Sequence, residues 1–111
     1  MRRARAAEMN EDAIPALVLS VDERRLRELF PVRFSRVEPL AEPEPSTGAL
    51  IQLDSGPYAV VMYGKETGRV TISFPATVDV RRALAALVRE TGIRRGEIEW
   101  VDETRRAKRS A

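Results

Sequence analysis

Glu97 and Glu99 stand two residues apart in a stretch of alternating character. A strand over 97–101 puts both carboxylates on one face, with Cβ atoms about 7 Å apart at the ~3.3 Å rise per residue, opposite Ile98 and Trp100. A pair at that spacing holds Mg²⁺ or another hard cation only when further ligands complete the shell. The favoured reading is therefore a solvated strand face that discourages edge-to-edge pairing. Lys65 is the only lysine before Lys108, which makes it nameable as a Schiff-base or general-base candidate. It lies in Gly64-Lys65-Glu66-Thr67-Gly68, which lacks the preceding glycine of a phosphate-binding loop and joins two strands instead of opening a helix. That pattern is a hairpin tip carrying a solvated lysine.

The residue types that are missing narrow the chemistry further. The 111 residues include no histidine and no cysteine. Disulfides, thiolate nucleophiles, cysteine-ligated metals and Ser-His-Asp catalysis are excluded, and no motif implies a cofactor or a metal. An enzyme built here would have to work with carboxylates and Lys65, so the balance points away from catalysis.

Seventeen of the 19 basic residues are arginine, a bias that with frequent alanine suggests a G+C-rich bacterial genome. The net charge is +2, but it is unevenly spread: residues 1–12 sum to zero, residues 13–102 to −1 and residues 103–111 to +3. The basic character belongs to a short tail, Arg105, Arg106, Lys108 and Arg109. Such a tail neutralises a few phosphates and gives weak, salt-sensitive nucleic-acid association. No aromatic interleaves it to stack on bases, so a solvated, frayed terminus is the simpler reading. Arg81, Arg82, Arg89, Arg94 and Arg95 do not line one helix face, and the last two complement a helix C-terminus. The longest apolar run is six residues, 58–63, far short of the ~20 that cross a bilayer. Glu8, Glu11 and Asp12 interrupt any leader after the N-terminal arginines. A cytoplasmic protein without membrane contact is the expectation.

The elements that must position these residues read as follows. Residues 1–12 lack periodicity and form a mobile arm, 13–102 one domain, and 103–111 a frayed tail. Residues 16–20 are either a short strand or a helix lead-in. A helix follows, capped by Ser20 with Glu23 or by Asp22 with a Val21–Leu26 staple, carrying Leu26, Leu29 and Phe30 on one stripe and stopped by Pro31. A weak strand spans 32–37, and the proline-rich stretch 39–48 is an extended loop. Strands at 49–54, 58–63 and 69–74 form a meander through two hairpin-length connectors. A second helix at 78–91, capped by Thr77 or Asp79, presents Val80, Leu84, Leu87, Val88 and Thr91, with Gly92 at the left-handed C′ position. The strand at 97–101 closes the domain, and the helix before it makes a crossover from the third meander strand.

The expected fold is α+β, two-layered, with two helices on one face of a mainly antiparallel sheet of four or five strands. The strand at 58–63 is apolar on both parities, so it is central and something covers each face. With helices on one face only, Ala59, Val61 and Tyr63 are expected on the open one. Tyr58, Val61, Tyr63 and Trp100 then form an interaction surface, and a homodimer stacking two such faces buries it. The expected function is a small non-enzymatic interaction or regulatory domain, with another protein as a possible partner. The alternatives are nucleic-acid association through the tail and a Mg²⁺-dependent or acid–base enzyme using Glu97 and Glu99.

Overall fold

The computed structural model describes residues 1–9, 11–37 and 46–102. Within them the chain runs through β1 (Arg2–Arg3), a 3₁₀ turn at Ala6–Glu8, β2 (Ala13–Ser20), α1 (Glu23–Leu29), β3 (Ser35–Val37) and β4 (Ser46–Gln52). It continues through β5 (Tyr58–Gly64), β6 (Arg69–Pro75), α2 (Val80–Thr91), a 3₁₀ turn at Arg95–Glu97 and β7 (Ile98–Val101). All paired strands are antiparallel, in the order β1-β4-β5-β6-β2-β7, and β3 pairs the far end of the same β4 edge that β1 uses. The fold is α+β, as expected, with a wider sheet. The first 20 residues add two strands, and Ser46–Gly48, expected in the proline-rich loop, begin β4 against β3. The rest of that loop lies outside the described residues.

Local chemistry explains the element ends. The Asp22 carboxylate accepts the Arg25 N–H at 2.8 Å, so Asp22 and not Ser20 caps α1, and Pro31 follows its Phe30 C-cap. Asp79 accepts from the N–H groups of Arg81 and Arg82 at the start of α2. At its end Gly92 takes φ 81° and ψ 24° and donates its N–H to the Val88 carbonyl. A side chain other than glycine is strained in that left-handed conformation.

The meander has the expected short connectors. In the second, the Gly68 N–H donates to the Gly64 carbonyl at 2.9 Å, which sets Tyr63 opposite Val70 and Val61 opposite Ile72. β2, ambiguous in sequence, is an interior strand. It pairs β6 along one edge and β7 along the other, with irregular register at both contacts. β6 and β7 therefore run parallel with β2 between them, so the α2 crossover steps over a strand that was placed earlier in the chain.

One sheet face is fully covered. Ala49, Val61, Ile72 and Leu17 align across β4, β5, β6 and β2, and all are at most 6% exposed. Leu26, Leu29 and Phe30 of α1 and Val80, Ala83, Ala86 and Leu87 of α2 complete the same buried cluster. The buried stripe of α2 is rotated from the expected one. Alanines at 83 and 86 face the sheet, Leu84 flanks the core, and Val88 is 38% exposed. Small side chains on the contact line allow close helix–sheet approach, which the spacing of the larger residues did not reveal.

Candidate functional site

The strand β5 alternates in burial, and the alternation runs opposite to expectation. Ala59, Val61 and Tyr63 lie on the helix-covered side, whereas Tyr58, Val60 and Met62 are half-buried on the other. Val61 and Tyr63 are thus core residues shielded by this same chain, and their expected place on an open face is corrected. The hairpin register held the missing signal. The four residues 65–68 between the strands put Tyr63 beside Val70, on the parity that β6 shows to be apolar throughout.

The open face is built from the remaining parity. Gly48, Met62, Thr71, Val18 and Trp100 form one row across β4, β5, β6, β2 and β7. Leu50, Val60, Ser73 and Pro15 form the next. Among the described residues no helix covers these rows. Trp100 is 48% exposed, the largest apolar side chain so presented. A shallow hollow of about 340 Å³ beside it is lined by Val18, Arg69, Thr71, Glu99 and Trp100. Arg69 and Glu99 pair across its rim at 3.1 Å. Tyr58 lies toward the N-terminal 3₁₀ turn, where its hydroxyl meets Glu8 Oε1 at 3.5 Å. The Arg2 guanidinium and the Arg5 N–H hold the Glu8 carboxyl down at about 2. The segment read as an arm therefore touches one margin of the open face, through β1 and this turn.

The two glutamates weighed for metal chemistry do not converge. Glu97 belongs to the 3₁₀ turn, because the strand begins one residue later than expected, at Ile98. Both of its oxygens are taken by Arg25, at 2.7 and 3.0 Å, and that guanidinium holds its carboxyl below the ordinary range. Glu99 is engaged by Arg69. No group of three or more acidic residues gathers among the described residues in a way that would hold a cation. Lys65 is exposed in the β5–β6 turn. Arg105, Arg106, Lys108 and Arg109 lie outside the described residues. No helix of the described residues is long and apolar enough to cross a membrane.

A second concavity, missed in the sequence, opens at the helix-covered side between α1, the 30–34 segment and the ends of β4 and β5. It is open to solvent and has a volume of about 540 Å³. Phe30, Val32 and Phe34 give it an apolar wall, Tyr63 lies at its inner side, and Arg27 and Arg33 stand on it with Glu23. Its residues come from three separate stretches of chain, so no local spacing announces it. Set against family models, curated proteins and solved structures, the chain matches none of them.

Proposed function

We propose that this protein is a small non-enzymatic interaction domain that self-associates through the open sheet face centred on Trp100. The observation that carries the reading is Trp100 itself, half exposed at the end of a row that continues through Val18, Thr71 and Met62. A half-exposed tryptophan on a sheet face, beside Val18 and Thr71 and rimmed by an Arg69–Glu99 pair, is the type of residue that anchors protein interfaces. Two copies related by a twofold axis place the same rows against each other, which is how a self-complementary dimer forms. The Arg69–Glu99 pair at the rim supplies charges of both signs that a twofold partner can answer. Glu97 and Glu99, the carboxylates with catalytic spacing, are each engaged by an arginine, which favours this reading over catalysis.

Sedimentation of the wild type and of Trp100→Glu at micromolar concentration tests it. The expected result is a dimer for the wild type and a monomer of unchanged circular dichroism for the variant. A wild type that stays monomeric to high micromolar concentration rejects self-association, and so does a dimer that Trp100→Glu leaves intact.

A further inference from the structure

The cavity beneath α1 has a polar feature that its apolar wall does not explain. Tyr63 is 6% exposed, lines the cavity, and its hydroxyl makes no hydrogen bond among the described residues. Buried polar groups ordinarily find a partner in protein or water, so a hydroxyl with no protein partner beside a cavity is one that a ligand oxygen can answer in place of water. The rest of the lining describes that ligand. Phe30, Val32 and Phe34 accept an apolar body, and about 540 Å³ falls within the range of roughly 300–1,000 Å³ typical of small-molecule sites. Two arginines and one glutamate stand on the lining. Glu23 is matched by Arg27, at 3.1 Å. Arg33 is exposed and has no carboxylate partner among the described residues, which leaves one positive charge unanswered.

We infer that this cavity binds a small hydrophobic monocarboxylate, its apolar body against Phe30, Val32 and Phe34 and its carboxylate between the Tyr63 hydroxyl and the Arg33 guanidinium. The hydroxyl donates to one carboxylate oxygen, and the guanidinium supplies the charge that distinguishes an acid from a neutral molecule of the same shape. The site lies on the helix-covered side of the sheet and is independent of the open face around Trp100.

Calorimetric titration of the full chain with octanoate and with its neutral primary amide tests the inference. Octanoate is expected to bind saturably and more tightly than the amide. Tyr63→Phe, which keeps the ring in the core, should weaken octanoate about tenfold, the scale of one hydrogen bond to a charged group. Arg33→Met, at an exposed position, should erase the preference for acid over amide. Trp100→Glu should leave octanoate binding unchanged, which separates this site from the self-association surface. Absence of saturable binding by the wild type overturns the inference, whatever else fills the cavity. So does octanoate affinity that neither Tyr63→Phe nor Arg33→Met alters, or that Trp100→Glu abolishes.

Discussion

Among single residues, Arg25 joins separate parts of the fold through four side-chain hydrogen bonds to three partners. Its guanidinium takes both oxygens of Glu97, donates to the Gly92 carbonyl at 3.0 Å and reaches Glu28 at 3.2 Å. One side chain thus ties α1 to the end of α2 and to the turn that launches β7. Because the Glu97 carboxyl is held below its unfolded value, the pairing stabilises the fold above the ordinary carboxylate range and is lost as pH falls through the folded value. The wild-type Tm should therefore drop on acidification from about pH 5 to about pH 3 more steeply than that of Glu97→Gln. At neutral pH the variant should melt below the wild type. Equal slopes in the two melting series would show that the ion pair contributes nothing. Neither partner announces the other in sequence, since 72 residues separate them.

At the scale of elements, the helix termini were legible because they are local. Asp79 and Gly92 act on backbone groups within three or four residues, so spacing alone narrowed the cap of α2 to Thr77 or Asp79 and placed Gly92 at its end. Asp79→Ala should cost about 1 kcal/mol by leaving the first N–H groups of α2 uncapped. Gly92→Ala should cost roughly 1 kcal/mol, because its φ of 81° disfavours a side chain. Urea titration of each variant, read as a shift in midpoint at constant slope, checks both values. β2 was not legible for the opposite reason. A short apolar run becomes a strand only when it finds edges to pair with, and those of β2 come from residues 69–75 and 98–101. The two-residue β1 likewise owes its existence to Ile51 and Gln52.

For the whole molecule, the two faces of the sheet predict opposite responses to the same substitution. Tyr63→Glu removes a core ring and puts a carboxylate into the covered face, and should destabilise the fold by on the order of 3–5 kcal/mol, the scale of truncating a large buried aromatic side chain. Against a typical domain stability of about 5–15 kcal/mol, that is enough to unfold much of the population. Trp100→Glu places the same charge on the open face and should leave the melting temperature of the monomer nearly unchanged. Thermal melts at low protein concentration separate the two. A Tyr63→Glu variant as stable as the wild type would contradict the burial of Tyr63.

The chain by itself determined the two amphipathic helices, two candidate N-caps for each, the three-stranded meander and the exclusion of cysteine and histidine chemistry. Each of these depends on interactions within a few residues or on composition. The side of β5 that faces the helices was written only in the β5–β6 hairpin register, since both parities of β5 are apolar, and the tertiary structure is what decided that register. It also decided the place of β2 between β6 and β7, the separation of Glu97 from Glu99 by their arginine partners, and the cavity around Tyr63. These rest on contacts between distant stretches of chain, and spacing along the sequence carries no record of which distant stretches meet.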